Sequence, residues 1–182
     1  MVTETEIIDG CFRANPTYQR LLFNKYSPLL ITVCLRYAMD STSAEDMLQE
    51  AFIRIFSSIH QYRFEGSFEG WLRAVTVRAC LRKLEQVNIK YDDTSTLETI
   101  SDSLEPSAIS ALTEKELVKL INNLPDGYRV VFNLHVIEGY THEEIAAMLN
   151  IAEVTSRTQL LKARRLLQKQ ILSCRKICFK HE

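Results

Sequence analysis

The chain has 182 residues, of which 46% are hydrophobic and 25% are charged. This composition is typical of a soluble globular protein, so disordered and collagen-like classes are excluded, and the length accommodates two small domains. The first residues lack a basic segment followed by an apolar one, and no stretch approaches the ~18 apolar residues that a membrane span requires. We therefore expect a cytoplasmic protein without direct membrane insertion.

The net charge of −1 hides an uneven distribution of charge along the chain. Residues 71–90 carry five basic residues and one acidic residue, and residues 152–180 carry eight basic residues and one acidic residue. Between them, residues 91–112 carry five acidic residues, many Ser and Thr and no basic residue, which is typical of a linker. The predicted layout is a domain at 1–87, a flexible acidic linker at 88–112 and a second domain at 113–182.

The first domain is predicted to be helical throughout. Asn15 followed by proline is typical of a helix start, and apolar residues recur at helical spacing after it, with a break expected near Ser27–Pro28. A second helix is predicted over 43–58, with Ser43 as its cap, and a third over roughly 68–86. No segment alternates with the two-residue period of a strand.

The predicted fold is therefore all-α, and its second domain contains four helices that include a helix-turn-helix. Thr113 with Glu116 and Thr141 with Glu144 have the spacing of a capping box, which begins a helix. Asn150 follows an apolar helical pattern and tolerates the left-handed conformation that the turn requires. The predicted helices cover about 113–123, 125–139 and 142–149, and a last helix runs from Ala152 into the basic tail.

Two segments of the chain resemble the extracytoplasmic-function sigma factors of the sigma-70 family. Residues 124–168 resemble the promoter-binding region 4 (type 2) domain of that family. Residues 44–52, AEDMLQEAF, resemble the region 2 motif that grips the polymerase clamp, and Phe64, Phe68 and Trp71 follow at the family's spacing. The resemblance implies a non-enzymatic subunit that binds core RNA polymerase, recognises upstream promoter elements and promotes transcription initiation.

Polar side chains share one face of the helix predicted over 43–58. Asp46, Gln49 and Glu50 are spaced i, i+3 and i+4, on the side opposite the apolar residues. By spacing alone they form a solvated face, as on many amphipathic helices. The resemblance implies instead that this face binds the clamp helices of the largest subunit of core RNA polymerase, where complementary charge sets orientation and association rate.

Aromatic and basic residues cluster around the loop that precedes the third helix. Aromatic faces stack on unpaired bases and cations follow phosphates, as holding a melted DNA strand requires. The alternative is that Phe64, Phe68 and Trp71 belong to the core. The resemblance implies that the loop from His60 to Ser67 accepts a base flipped out of the promoter. The predicted promoter-melting residues are Tyr62, Arg63, Phe64, Phe68, Trp71, Arg73, Arg78 and Arg82.

Basic and polar side chains of the last helix are expected to face the major groove, as on a recognition helix. They are predicted to lie opposite Leu160, Ala163 and Leu167, and Gln159 is expected to pair with adenine. If the helix-turn-helix pattern did not precede this helix, a basic solvated helix would be an equally good interpretation of its sequence. The predicted DNA-binding residues are Thr141, His142, Arg157, Thr158, Gln159, Lys162 and Arg165.

The sequence departs from the family's usual residues at four positions. Arg78 and Arg82 stand where Asn and Asp are usual, and Ala152 and Val154 stand where Ser and Gly are frequent. The added cations are expected to strengthen contact with the DNA backbone, and the last helix lacks the usual hydroxyl cap. An unusual promoter preference is therefore expected.

No metal, cofactor or catalytic site is predicted. Cys11, Cys34 and Cys80 are expected to be reduced thiols in or near the core. The spacing of three candidate ligands in the tail suits one helix face, but a fourth ligand is missing. These three are Cys174, Cys178 and His181. The sequence has no glycine-rich phosphate loop and no nucleophile motif, so an enzyme is not expected.

The predicted partners are core RNA polymerase and promoter DNA, and the resemblance also admits a membrane-bound anti-sigma factor. The acidic linker is expected to be a solvated tether or, by resemblance, to follow the RNA path of the polymerase. One different class stays open here, a helix-turn-helix regulator that binds DNA without recruiting core polymerase. The helix that carries Asp46 discriminates between the two, because such a regulator needs no clamp-binding face.

Overall fold

The computed structural model describes residues 2–86 and 113–178. The chain divides into two compact units, residues 1–88 and residues 89–182. Every regular element within the described ranges is a helix, which confirms the predicted all-α fold of two small helical domains. No helix in these ranges is long and apolar enough to cross a membrane. The predicted linker at 88–112 lies outside the described residues.

The first unit is built from helices that pack around an apolar core. Helices α2, α3 and α4 pack against one another, and α1 packs against α2. Leu22, Leu30, Ile55 and Leu72 are fully buried between them, and burial at about 25 cal/mol per Å² of apolar surface stabilises the assembly. The elements are α1 (Glu4–Phe12), α2 (Pro16–Leu35), α3 (Ser41–Ser58), a 3-10 turn (Ile59–Gln61) and α4 (Phe68–Gln86).

Helix α1 is absent from the sequence-based prediction. Thr3 and Glu6 form a capping box at its start, and Ile8 is one of the side chains that it buries against the rest of the unit. Gly10 allows α1 to approach α2 closely, because a Cβ at this position would lie 2.1 Å from Cγ of Tyr18. A nine-residue helix is marginal by itself, so this packing is what stabilises α1.

Two predicted helix boundaries in the first unit are wrong. Pro28 lies inside α2 and does not break it. A proline in a helix interior costs about 3 kcal/mol, but the buried side chains of Tyr26 and Leu30 on either side of it hold the continuous helix in the core. Helix α3 begins before Ser43, because the Asp40 carboxylate caps it by accepting a hydrogen bond from the Ser43 N–H at 2.7 Å.

The cysteines of the first unit are free, buried thiols, as predicted. Cys34 and Cys80 place their Sγ atoms 3.9 Å apart between α2 and α4, and Cys11 is buried in α1. The side chains of Cys174 and Cys178 and the whole of His181 lie outside the described residues. Within the described part of the chain, no group of three His, Cys, Asp or Glu residues is placed to hold a metal ion.

The second unit is organised around its last helix. Helices α5, α6 and α7 all pack against α8, and Ile121 and Leu124 meet Ala163 and Leu167 in the core. Helices shorter than about 12 residues are marginal in isolation, so the contact with α8 stabilises the three short ones. The elements are α5 (Glu114–Asn122), α6 (Asp126–Phe132), a π-helical turn (Asn133–Ile137), α7 (His142–Leu149) and α8 (Glu153–Cys178).

Helices α7 and α8 form the predicted helix-turn-helix. Thr141 and Glu144 make both hydrogen bonds of the predicted capping box at the start of α7, and the equivalent pair begins α5. Asn150 ends α7 in the predicted left-handed conformation, with φ 52° and ψ 48°. This conformation lets the chain turn sharply from α7 into α8.

Candidate protein- and DNA-binding surfaces

Four residues form a strip on the outer side of α3, called the α3 face: Asp46, Gln49, Glu50 and Ile53. Asp46 and Gln49 are exposed, and Glu50 is half-buried beside Arg54, with its carboxylate 2.6 Å from the guanidinium. Ile53 is 63% exposed and was missed by the sequence analysis, although its position seven residues after Asp46 puts it on the same side. An apolar centre with a polar rim is a composition that protein-binding surfaces have.

Four aromatic rings cluster where the 3-10 turn leads into α4: Tyr62, Phe64, Phe68 and Trp71. Tyr62 packs against the other three, with centroid distances of 5.0 to 5.8 Å, and Phe68 stacks on Trp71. Tyr62 is only 8% exposed and Phe68 only 2%. Both rings are packed inside the unit, as the alternative of a core position for Phe68 expects, and contact of either ring with an unpaired base stays a prediction. Trp71 is half-buried.

Two hydrogen bonds connect residues of the loop between Tyr62 and α4 to each other and to the start of α4. The Tyr62 hydroxyl donates to the Gly66 carbonyl at 3.0 Å, and the Gly70 N–H donates to Ser67 Oγ at 3.0 Å. Phe64 adopts a left-handed conformation, φ 58°, that costs about 1–3 kcal/mol for a residue of its kind. The residue as a whole is 53% exposed, so Phe64 is accessible for stacking on a base.

The predicted arginines of this region differ in their environment. Arg63 is exposed on the loop, and Arg78 and Arg82 are exposed on α4. Arg73 is half-buried, with its guanidinium 3.9 Å from the carboxylate of Glu69 one turn earlier. Arg78 and Arg82 border a cleft between α3 and α4, which places them better than Arg73 for contact with an anion.

Gln159 does not lie where the sequence analysis placed it. Its side chain is 0% exposed, so the expected position on the exposed side of the helix is wrong, and base reading by Gln159 stays a prediction. At about 100° of rotation per residue, Gln159 lies on the same side of α8 as Ser156 and Ala163, which are also fully buried. Its polar character suggested an exposed position, whereas its helical phase places it inside.

The solvent side of α8 is basic and is called the α8 face. Arg157 and Arg164 are exposed on it, and Thr158, Lys162 and Arg165 are half-buried along its edge. Arg164 was missed by the sequence analysis, although it lies seven residues, about two turns, after Arg157. These side chains suit contacts with phosphates and with guanine in a major groove.

His142 contacts α8, whereas Thr141 acts within its own helix. Thr141 is the cap of α7, and Nδ1 of His142 lies 2.9 Å from Oγ of Ser156 on α8. The ring of His142 stacks on that of His135, with the centroids 4.3 Å apart. Burial, together with nearby His135 and Arg157, holds the pKa of His142 below its usual value, so the neutral ring is favoured. Direct contact of Thr141 and His142 with DNA stays a prediction.

Both units match known protein families. The sigma-70 region 2 family matches residues 22–88, which contain the α3 face and the loop after it. The sigma-70 region 4 family matches residues 114–167, which contain the helix-turn-helix. The two matched regions follow each other along the chain in the order that the sequence analysis expected.

Similar proteins agree with the family matches over most of the chain. The sigma-E factor of Haemophilus influenzae is 23% identical over 93% of this chain and 96% of its own length. SigW of Bacillus subtilis is 26% identical over 80% of this chain and 84% of its own. The fold resembles that of the sigma factor RpoE of Bartonella quintana, solved with the anti-sigma factor NepR, with a TM-score of 0.53 at 18% identity over 85% of this chain and 96% of that one. This chain therefore belongs to the extracytoplasmic-function sigma factors of the sigma-70 family.

Proposed function

We propose that this sigma factor divides promoter recognition between its two units. The chain is an RNA polymerase sigma factor, a transcription initiation factor and not an enzyme. In the proposed division, residues 1–87 bind core polymerase and hold melted promoter DNA, and residues 113–182 bind the upstream promoter element. Residues 88–112 link the two and follow the RNA path of the polymerase. The proposed site of action is the cytoplasm, where a bacterial polymerase meets the chromosome.

The α3 face is the observation that carries the polymerase-binding part of this proposal. Its carboxylates at Asp46 and Glu50 suit basic side chains on the clamp helices of the largest polymerase subunit. Ile53 offers an apolar centre that becomes desolvated when the surfaces meet. A regulator that binds DNA without polymerase would have no use for this strip, so family and surface both favour the sigma factor.

The α8 face and the loop after α3 support the DNA-binding part. Arg157 and Arg164 point their charge into solvent from a helix that follows a helix-turn-helix turn. Phe64 is exposed on a loop that the hydrogen bond from the Tyr62 hydroxyl to the Gly66 carbonyl stabilises. An exposed ring of this kind suits stacking on an unpaired base. Arg63, Arg78 and Arg82 are proposed to follow the phosphates of the melted strand.

The polymerase-binding proposal is tested by substitutions on the α3 face. Asp46→Ala with Glu50→Ala is expected to weaken binding to core polymerase at least about tenfold, because unpairing charged groups at an interface costs about 2–5 kcal/mol. Ile53→Ser is expected to weaken it by about 1 kcal/mol or more. Binding is measured by titrating labelled sigma factor with core polymerase and following fluorescence anisotropy.

A control variant with the same change in charge tests whether weaker binding comes from the α3 face or from the loss of two negative charges anywhere on the unit. Asp9→Ala with Glu85→Ala removes two exposed carboxylates outside α3 and is expected to bind core polymerase like the unmodified chain. Loss of the Glu50–Arg54 pair changes stability by only about 0.3–0.5 kcal/mol, so all variants should keep their helix content in circular dichroism. Equal binding by the α3 variants and the control would overturn the assignment of the clamp surface.

An anti-sigma factor is proposed as a further partner of this chain. The sigma factor RpoE of Bartonella quintana, which shares this fold, was solved in complex with the anti-sigma factor NepR. A membrane-bound protein of that class would keep this chain away from polymerase until a signal releases it. Copurification from detergent-solubilised cells, compared with and without the chain as bait, detects such a partner.

A further inference from the structure

Two cysteines of the first unit lie side by side between α2 and α4. Sγ of Cys80 donates a hydrogen bond to Sγ of Cys34 across 3.9 Å, and both side chains are fully buried. The two positions are 46 residues apart in the sequence, so the packing of α2 against α4 brings them together. The S–S bond of a disulfide is about 2.04 Å long, so the sulfurs need to approach by only about 1.9 Å to form one.

The two thiols differ in acidity, and Cys34 is the more reactive of them. The hydrogen bond from Cys80 lowers the pKa of Cys34, burial opposes this effect, and the charge of Arg36 adds to the lowering. The same hydrogen bond, together with burial, raises the pKa of Cys80. Because the thiolate is the nucleophilic form of cysteine, Cys34 is the sulfur that reacts first with an oxidant. Cys80 is then in position to attack the oxidised sulfur.

Cys11 provides a comparison within the same unit. It is buried in α1, and burial raises the pKa of its thiol to about 11. Cys11 therefore stays protonated at neutral pH and is expected to react slowly with oxidants. Burial is common to all three cysteines, so the contact between Cys34 and Cys80 is what distinguishes the pair.

An oxidant has a short path to Cys34 through the end of α2. Cys34 is the next-to-last residue of this helix, and its carbonyl accepts hydrogen bonds from the N–H groups of Tyr37 and Ala38, both at 2.9 Å. Leu35, which ends the helix, is 41% exposed. Helix ends fray, and such local opening costs less free energy than global unfolding. A molecule as small as hydrogen peroxide can therefore reach Cys34 while the rest of the unit stays folded.

We infer that Cys34 and Cys80 are a site of reversible oxidation, at which a peroxide joins α2 to α4 through a disulfide. The Cys34 thiolate attacks one oxygen of hydrogen peroxide, the O–O bond breaks, and the sulfur becomes a sulfenic acid. The other oxygen leaves as water with the proton that Cys34 lost. Sγ of Cys80 then attacks Sγ of Cys34, the S–O bond breaks, and the hydroxyl leaves as a second water with the Cys80 proton.

This reaction balances without a further reactant. Two thiols and one peroxide give one disulfide and two waters, and two electrons pass from the sulfurs to the peroxide oxygens. A dithiol reverses the reaction by thiol–disulfide exchange. In the cytoplasm, the proposed site of action, thiols are kept reduced, so a disulfide there is transient and suits the sensing of oxidants.

The expected consequence for DNA binding rests on the proposed function. Arg78 and Arg82 each lie two positions from Cys80 on α4, a rotation of about 200°, and both are exposed. Drawing Cys80 toward Cys34 moves α4 toward α2 and displaces both arginines. The oxidised chain is therefore expected to bind single-stranded DNA less tightly than the reduced chain.

The disulfide is tested on the full chain in the absence of DNA and polymerase. The chain is treated with hydrogen peroxide, remaining thiols are blocked with iodoacetamide, and a tryptic digest is measured by mass spectrometry. Cys34 and Cys80 fall in the tryptic peptides 26–36 and 79–82. These peptides are expected to appear as one linked species, two hydrogens lighter than their sum, that dithiothreitol separates. Cys11 is expected to be alkylated with or without peroxide.

Thermal unfolding shows whether the bond forms in the folded unit. Trp71 is the one tryptophan of the chain, so its fluorescence follows the unfolding of the first unit. A disulfide that closes a loop of 46 residues restricts the unfolded chain and is expected to raise the Tm of this unit by about 5 °C or more. Cys80→Ala should abolish both the linked peptide and the rise in Tm. The control, Cys11→Ala, should keep both.

Each outcome of these two measurements decides the inference. Linked peptides with a higher Tm, in the unmodified chain and in Cys11→Ala, support it. Peroxide treatment that leaves Cys34 and Cys80 alkylated, or that links Cys34 to another cysteine, overturns it. Linked peptides without a rise in Tm also overturn it, because the bond then forms only in unfolded chains. The digest of the unmodified chain decides even if Cys80→Ala does not fold.

A DNA titration tests the consequence for the proposed function. Reduced and oxidised chains are titrated with a labelled oligothymidylate of about ten nucleotides, a length within the usual site size, and anisotropy is recorded. Affinity is expected to fall about threefold to tenfold on oxidation, as weakening of charged hydrogen bonds predicts, and to be insensitive to peroxide in Cys80→Ala. Equal affinities in the two states would overturn the link between oxidation and DNA binding. If the reduced chain binds neither core polymerase nor oligonucleotide, the proposed function fails whatever the digest shows.

Discussion

Arg157 and Gln159 lie two positions apart on α8, a rotation of about 200°, and only Arg157 reaches solvent. Arg157→Ala is expected to weaken binding to the recognised promoter by about 1–3 kcal/mol if the guanidinium reads a guanine, with little change in stability. Gln159→Ala is expected to leave promoter binding nearly unchanged. It should lower the free energy of unfolding by about 1–3 kcal/mol, because the alanine fills the buried site poorly and leaves the hydrogen-bonding groups around it without the amide.

Two measurements on the full chain check that Arg157→Ala affects promoter binding and that Gln159→Ala affects stability. Urea unfolding followed by circular dichroism gives the stability of each variant, and fluorescence anisotropy on cognate and scrambled duplexes gives its sequence preference. A Gln159→Ala variant that changes base preference while its free energy of unfolding stays the same would contradict this expectation. That outcome would place the side chain in the groove and not in the core.

Residue type alone misled the sequence analysis wherever helical phase or packing decided exposure. Gln159, Tyr62 and Phe68 have side chains that can bind nucleic acid, but all three are buried. Ile53 is apolar and yet exposed on the α3 face. The periodic positions of Asp46 and Gln49 were sufficient to predict their exposure, because a clear apolar face on α3 fixed its orientation.

At the scale of elements, the contact between α7 and α8 is expected to depend on pH. His142 joins the two helices through Ser156, and its ring stacks on that of His135. Burial, His135, Arg157 and Arg164 lower the pKa of His142, and Glu153 opposes them. The folded pKa thus lies below the unfolded value of about 6.5, so protons bind preferentially to the unfolded state. The stabilisation is complete above about pH 6.5 and is lost as the pH falls through the folded pKa.

Amide hydrogen exchange followed by mass spectrometry resolves this effect within the second unit. Exchange in α7 and the start of α8 is expected to accelerate between pH 7.5 and 5.5 after correction for the intrinsic rate. His142→Gln should remove most of that pH dependence. The control, His60→Gln, changes an exposed histidine of the first unit and should leave it intact. Identical pH profiles for all three proteins would show that His142 does not control this contact.

Local rules predicted the elements whose stabilising contacts are local. The capping boxes at Thr113 and Thr141 and the left-handed Asn150 depend on a few neighbouring residues, and all three are present as predicted. The continuity of α2 through Pro28 depends on burial against α3 and α4. Helix α1 depends in the same way on close contact with α2 at Gly10. Such tertiary contacts are not visible in a propensity pattern.

At the scale of the whole molecule, the two units carry surfaces of opposite character. The α3 face is acidic with an apolar centre, and the α8 face is basic. An overall charge of −1 therefore does not describe either surface. Each unit has its own core and its own matching family, sigma-70 region 2 for the first and region 4 for the second. The proposed function needs both units in one chain, because polymerase recruitment and promoter choice have to be coupled.

Reconstituted transcription tests that coupling most directly. Purified core polymerase is incubated with genomic DNA of the source organism, with and without the chain, and the 5′ ends of the transcripts are sequenced. The account predicts new start sites that share upstream sequence elements, appear when the chain is added, and disappear with Asp46→Ala and Glu50→Ala. A set of start sites identical to that of core polymerase alone would contradict the central claim that this chain directs initiation.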